Sequence, residues 1–329
     1  MELLVLNSQD VKKALPMRQA IDAMIEAYIQ LSNSSSQVPL RSRIQIPDVD
    51  GISLFMPAYL ERTRSLGMKI VSVFPGNPGI DLPTIHALVI AIDPQTGCPL
   101  ALLEGASLTA IRTGAASGAA TELLSRPDAK TAAIFGSGAQ ARTQLEAVCT
   151  AREIEHVWIF SLDPPGAEQM ITELAGVGPI PASIELADKP QQAVREADVI
   201  CTATTSREPV FEGADLQPGV HINAIGSFTP EMQEIDAATM KKAYIVLDSR
   251  KAVLSESGDV LIPLAEGILS EADLQVELGD VASGVKPGRT SDSQITLFKS
   301  VGVAVQDAIA ADRAVQNAKT TGLGTTIQL

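Results

Sequence analysis

The segment Thr131-Ala132-Ala133-Ile134-Phe135-Gly136-Ser137-Gly138-Ala139-Gln140-Ala141 constrains this chain more than any other stretch. Its first half is a short apolar run of the kind that forms a strand buried on both faces. Gly136 permits a tight turn, Gly138 lets the backbone come close to a ligand, and Ala141 stands where a small residue packs helix on strand. A helix starting at Ala139 aims free N–H groups and a partial positive charge at that loop. Strand, glycine loop and helix in this order predict a site for the pyrophosphate of a dinucleotide.

The residues that follow agree with this. Strand-like runs at 156–160, 182–186, 198–204, 221–226 and 244–248 alternate with helical stretches at 139–150, 165–176 and 190–196. Such alternation specifies an α/β fold, a doubly wound parallel sheet of the Rossmann type. In such sheets an acid at the end of the second strand holds the ribose of NAD, and an Arg nearby accommodates NADP. Here the stretch is Phe160-Ser161-Leu162-Asp163, with no Arg following. The missing Arg leans towards NAD, and Ser161 leaves NADP open.

The first part of the chain reads differently. A strand over 2–6, helices from Gln9 and over 16–33, and strand-like runs at 40–46, 52–56, 67–74 and 85–92 lie between turn signals such as Asp50-Gly51 and Pro75–Pro78. This predicts an α+β domain with a largely antiparallel sheet, leading into a helix of small residues over 106–124. The tail, 293–318, reads as one long helix returning to this domain.

Charge narrows the choice of ligand. With 25 basic and 39 acidic residues the net charge is −14, which repels nucleic acid and anionic membranes. Aromatic residues make up 3%, too few for a base-stacking platform. No run of apolar residues is long enough to span a membrane, and the N-terminus has no basic-then-apolar leader. Cys98, Cys149 and Cys201 are scattered without metal-ligand spacing, which fits a reducing cytoplasm and no metal. Asp248, Asp259, Glu277 and Asp280 read as solvated loops and caps, and His221 as structural. In so acidic a chain, an anionic ligand needs a local cluster of cations. Arg41 and Arg43 lie two apart on a predicted strand, Lys69 sits among apolar neighbours, and Arg112 lies within a helix of Ala, Gly and Thr. A guanidinium in that setting points into a cleft, where it could fork onto a carboxylate.

These residues belong to a larger pattern. Phe55–Ala58, Gly67–Lys69, Phe74–Asn77, Leu82–Thr84, Leu108–Ala116, Gly136–Gln140, His221–Gly226, Ser300–Gly302 and Gln306-Asp307 together resemble the ornithine cyclodeaminase/mu-crystallin family over nearly the whole chain. The resemblance implies a homodimer. Residues 1–115 with 304–329 would form a substrate-binding and dimerisation domain, and 116–303 the Rossmann domain. It implies hydride transfer at the α-carbon of an amino acid or its imine. Arg41, Lys69 and Arg112 would surround the substrate, with Lys69 and Arg112 catalytic. Thr84, Arg112, Gly136, Gly138, Ala139, Gln140, Ser161, Thr202, Asn223, Ala224, Ile225 and Ser300 would line NAD or NADP.

One position departs from the pattern. Cyclodeaminases carry a catalytic Asp where this chain has Phe228. Phenylalanine takes no proton and holds no second amine; with Val301 it would instead shape an apolar substrate pocket. The expected reaction is therefore reduction of a small imino acid, such as pyrroline-2-carboxylate, or the reverse amino acid oxidation. Two alternatives stand beside it. Ornithine cyclisation would need Glu231 or Glu234 to replace the lost acid, and a mu-crystallin-like protein would bind NADPH and a small ligand without catalysis.

Overall fold

The computed structural model describes residues 1–329. In chain order, β1 (Glu2–Leu6), α1 (Ser8–Ala14), α2 (Met17–Ser32), β2 (Ser36–Gln37), β3 (Ser42–Ile46), β4 (Gly51–Leu60), β5 (Ser65–Val73), β6 (Ile85–Ile92), β7 (Pro99–Glu104) and α3 (Gly105–Leu124) come first. Next are β8 (Thr131–Phe135), α4 (Ala139–Ala151), β9 (His156–Phe160), α5 (Pro164–Leu174), β10 (Ile184–Leu186), α6 (Pro190–Arg195), β11 (Val199–Thr202) and β12 (His221–Ala224). Then follow α7 (Ala237–Lys242), β13 (Tyr244–Leu247), α8 (Arg250–Glu256), α9 (Gly258–Ala265), α10 (Leu278–Ala282), β14 (Thr296–Lys299), α11 (Ala304–Thr321) and β15 (Thr325–Gln328). Two units result: residues 1–112 with 303–329, and residues 113–302.

The first unit is built on an eight-stranded sheet in the order β15-β1-β7-β6-β5-β4-β2, with β3 paired to β4. β1 and β7 run parallel, and every other pair is antiparallel. Helix α2 buries Ile21, Met24 and Tyr28, spaced as one helical face requires. It packs on α11, which also covers β4, β5 and β6. Gly67 of β5 makes that cover possible, because Ala308 of α11 approaches to 3.5 Å of where a β-carbon would stand.

The second unit is a seven-stranded sheet, β10-β9-β8-β11-β12-β14-β13, in which all pairs are parallel. Both faces are buried. Phe135, Ile200, Ile222 and Leu297 point to one face, and Ile134, Val157, Ile159 and Val199 to the other. Burial on two sides is why these strands read as unbroken apolar runs rather than as alternating ones. No helix of the molecule is long and apolar enough to cross a membrane.

Two expectations fail here. The tail is not one helix: Thr296–Lys299 forms β14, inserted between β12 and β13, and the helix begins only at Ala304. The short β-prone run is captured by two flanking strands, and tertiary pairing overrides its helical periodicity. Nor are all the acids of the second half solvated, although Glu277 and Asp280 do cap α10 as expected. Asp248 and Asp259 are fully buried, and Lys299 Nζ lies 2.8 Å from Asp259 Oδ2. His221 is also buried, between Thr296 and Asn223, and burial pushes it down to about 3, so it is neutral and structural.

Removing one partner of a buried ion pair strands the other charge. Lys299→Met should therefore destabilise the second unit by about 3–5 kcal/mol. A thermal melt or urea titration checks this, and an unchanged midpoint would contradict the pair's structural role.

Candidate functional site

Lys69 sits mid-strand in β5, opposite Met56 of β4 and Val89 of β6. Its side chain shares a face with Gly67, two residues earlier, and so meets the first turn of α11. There Lys69 Nζ lies 2.9 Å from Asp307 Oδ2. The other oxygen, Oδ1, accepts a hydrogen bond from Arg112 Nε at 3.0 Å. Arg112 Nη1 donates to Gln306 Oε1 at 2.7 Å, and Gln306 Nε2 donates to the Tyr28 hydroxyl at 2.8 Å. The Val303 N–H also donates to Gln306 Oε1. Lys69 and Arg112 are 4% and 5% exposed, yet Arg112 Nη2 makes no hydrogen bond within the protein. Two cations thus share one carboxylate, leaving the cluster net positive with one guanidinium nitrogen uncommitted.

Burial lowers Lys69 to about 8; Asp307 opposes that shift, while Arg112 and Arg41 add to it. Burial alone would raise Asp307, but the adjacent Arg112 and Lys69 charges outweigh it and hold the carboxyl below its ordinary value. A lysine near 8 exchanges protons readily at neutral pH, and the surplus positive charge suits a carboxylate. Arg41 lies just ahead of β3 rather than on it, close enough to act on Lys69, whereas Arg43 is on the exposed strand opposite Leu54. The alternation argument for that pair therefore does not apply. Arg112 also departs from expectation: two of its donors are already engaged, so it offers Nη2 and not a free fork.

In the second unit the loop after β8 has the geometry of a phosphate cradle. Gly136 has φ +110°, and a β-carbon there would stand 2.6 Å from the Ala203 carbonyl. Gly138 is the N-cap of α4 with no side-chain cap, and a β-carbon on it would meet nothing within 4 Å. The first N–H groups of a 13-residue helix thus lie behind a loop with no side-chain cap and open space at Gly138. These features fit a dinucleotide pyrophosphate. Ala139 opens the helix. Ser161 Oγ lies 3.1 Å from Ser137 Oγ and accepts the Asp163 N–H, while Asp163 caps α5.

The other expected residues are engaged within the protein. Thr202 Oγ1 donates to Glu234, and Asn223 is engaged with His221 and Thr121. Ile225 N–H donates to the Thr202 carbonyl, and Ser300 N–H to that of Ala224. Ser300 Oγ and the Val301 and Gly302 N–H groups all donate to Asp248 Oδ2. Thr84 lies ahead of β6 in the first unit, its carbonyl accepting the Phe74 N–H. Phe228 is 53% exposed on the loop after β12. Glu234 is unsuited to replace a lost catalytic acid. It is fully buried and accepts from Thr202, Thr204 and the Gly226 N–H, with burial and Asp259 raising its pKa. No three His, Cys, Asp or Glu side chains converge to hold a metal ion.

Asp307 and Tyr28 were not among the sequence candidates. The signal for Asp307 was available: a carboxylate inside Ala304–Ala311, a stretch otherwise of small and apolar residues and one glutamine.

The ornithine cyclodeaminase/mu-crystallin family model matches residues 1–322. The chain belongs to this family. A Delta(1)-pyrroline-2-carboxylate reductase of Bacillus cereus is 40% identical over 99% of this chain and 100% of its own. The Thermococcus litoralis Delta(1)-pyrroline-2-carboxylate reductase, solved in complex with NADH and L-proline, superposes with a TM-score of 0.93 at 41% identity, covering 99% of this chain and 100% of that one. An archaeal alanine dehydrogenase dimer with bound NAD gives 0.91 at 34%, covering both chains fully.

The two loop glycines should separate fold from binding. Gly138→Val, at an ordinary φ of −73° with room for a side chain, should melt near the wild type while losing about tenfold or more in NADH affinity. Fluorescence titration reads the second quantity, and undiminished affinity would remove this loop from the cofactor site.

Proposed function

We propose that this protein reduces a small cyclic imino acid of the pyrroline-2-carboxylate type with NADH, and in reverse oxidises the corresponding amino acid. The observation that carries this reading is the buried Lys69–Asp307–Arg112 cluster, a net cation whose lysine burial lowers to about 8. The full-length likeness to reductases of this kind supports it. The NADH and NAD held by the two solved relatives favour NAD over NADP. The lack of an Arg after Ser161 points the same way.

The chemistry divides cleanly. The reduced nicotinamide supplies a hydride to the imine carbon; the C=N π bond becomes a C–H and an N–H bond. Everything else falls to the protein. Arg112 Nη2 and Arg41 hold the substrate carboxylate, which fixes the ring and presents one face of the reacting carbon. Lys69, as the ammonium, gives the proton that the nitrogen gains, and recovers it from solvent. In the oxidative direction the neutral amine takes it back. Phe228 and Val301 offer no ionisable group, and Glu234 is held in structural hydrogen bonds. That arrangement favours imine reduction over ornithine cyclisation, which needs a carboxylate for the second amine.

The functional unit of this reading is a homodimer. Leu40, Ile44, Ile80, Leu82, Ile85 and Leu88 of the first unit are apolar and exposed, which leaves apolar surface for a partner to cover. A second copy is the occupant favoured by the dimeric relative. Three unpaired cysteines suit the reducing cytoplasm as its location.

The decisive experiment is NADH oxidation followed by absorbance with pyrroline-2-carboxylate, piperideine-2-carboxylate, and pyruvate plus ammonia. Lys69→Ala should lose kcat by about 10²–10⁴-fold with NADH affinity intact. Because reduction needs protonated Lys69, kcat/KM should be level below pH about 8 and fall above it. Near-normal turnover in the variant would remove Lys69 from the proton step. Light scattering should return twice the chain mass, and Ile44→Asp should shift the protein towards monomer.

A further inference from the structure

We propose that Asp307 and Gln306, adjacent on the first turn of α11, are positioning residues with separate duties. Asp307 holds Lys69 as the proton donor, and Gln306 aims Arg112 at the substrate carboxylate. The proposal deepens the imine-reduction reading and rests on it for its catalytic meaning.

The geometry sorts the duties. Asp307 is bidentate, one oxygen 2.9 Å from Lys69 Nζ and the other 3.0 Å from Arg112 Nε. It is the sole carboxylate paired with Lys69. The other charged groups facing that lysine are cations, Arg112 of α3 and Arg41 ahead of β3, while its cross-strand neighbours Met56 and Val89 are apolar. Without Asp307, buried Lys69 would face the Arg112 and Arg41 charges with no carboxylate of its own, and the lysine is the one that can discharge. Asp307 therefore keeps the ammonium in place before substrate arrives. When the substrate carboxylate binds, a second negative charge joins the cluster and the ammonium is held more firmly.

The hydrogen bonds of the Gln306 side chain run to Arg112, Val303 and Tyr28 rather than to Lys69. Its Oε1 accepts from Arg112 Nη1 and from the Val303 N–H, and its Nε2 donates to the Tyr28 hydroxyl. Gripped at Nε by Asp307 and at Nη1 by Gln306, the guanidinium has no rotational freedom and presents Nη2 alone. Locking a binding group in this way improves substrate affinity without altering a proton donor.

The test follows the Lys69 Cε resonance in protein labelled with carbon-13 lysine, assigned by its loss in Lys69→Arg. It needs neither cofactor nor substrate. Asp307→Asn should move the Lys69 titration down by about one pH unit or more, and the upper limb of kcat/KM should move with it. Gln306→Met should leave the titration where it is and raise the imino acid KM by about tenfold. A merely structural Asp307 would lower the melting temperature and leave the lysine's titration unmoved, which would overturn the proposal. So would a Gln306→Met variant in which the titration falls as far. Should Asp307→Asn fail to fold, Asp307→Glu keeps the charge: its Lys69 should titrate near the wild-type value while kcat falls, and a titration shifted down by a unit would count against the proposal. Wild-type protein inactive on every imino acid would refute the reduction reading alone, since the resonance reports on Asp307 regardless.

Discussion

A carboxylate buried between two cations is the interaction around which the charged interior of the first unit is organised. Lys69, Arg112 and Asp307 come from a strand, a helix and the C-terminal helix, far apart in the chain. None could be buried alone, because an isolated ion in a dry interior loses more hydration than packing returns. Together they are stable, and they carry one positive charge more than they neutralise. On the proposed reading, that surplus lets the cluster receive the substrate carboxylate rather than close on itself as an ion pair. Its position also explains the shape of the unit. Helix α11 must cross the sheet above Gly67 to deliver Asp307, and residues 303–329 return to the first unit after the whole second unit has been traversed.

The second unit solves a different problem with the same device. Its strands end in loops that must stay open to a ligand yet remain fixed. Asp248 holds Ser300, Val301 and Gly302 through one oxygen, and Glu234 holds the ends of β11 and β12 through Thr202, Thr204 and Gly226. Asp259 in turn accepts the N–H groups of Glu234 and Ile235, and is neutralised by Lys299. The loop bearing Phe228 is pinned on either side, by Ser227 Oγ on the Met232 carbonyl and by the Thr229 carbonyl to Gly258. Buried carboxylates here act as multi-armed acceptors for backbone N–H groups at strand ends, where no ladder partner exists. The start of α4, by contrast, has no side-chain cap, and on the proposed reading its N–H groups are left for the cofactor phosphates.

Much of this was legible from one sequence. The apolar runs, the loop glycines and the alternation after residue 131 specify a parallel sheet, because burial on two faces leaves no other pattern. Lys69 and Arg112 stood out because long cations among Ala, Gly and Val have no surface to occupy. The misreadings share a cause. Thr296–Lys299 becomes a strand because β12 and β13 leave a gap between them, a fact of pairing between segments far apart in the chain. Asp248 and Asp259 resemble surface acids until their distant partners are known.

The sequence by itself determined what lies near in the chain: strand, turn, helix, the small residues a phosphate demands, and the absence of an acid at Phe228. Tertiary structure alone decided which charges meet. Asp307 pairs with Lys69 across more than two hundred residues, and local periodicity contains no term for such a contact. The same is true of Arg41 against Arg43, and of the single free nitrogen of Arg112. Each depends on where a side chain ends in space, which is set by packing between elements and not by propensity within them.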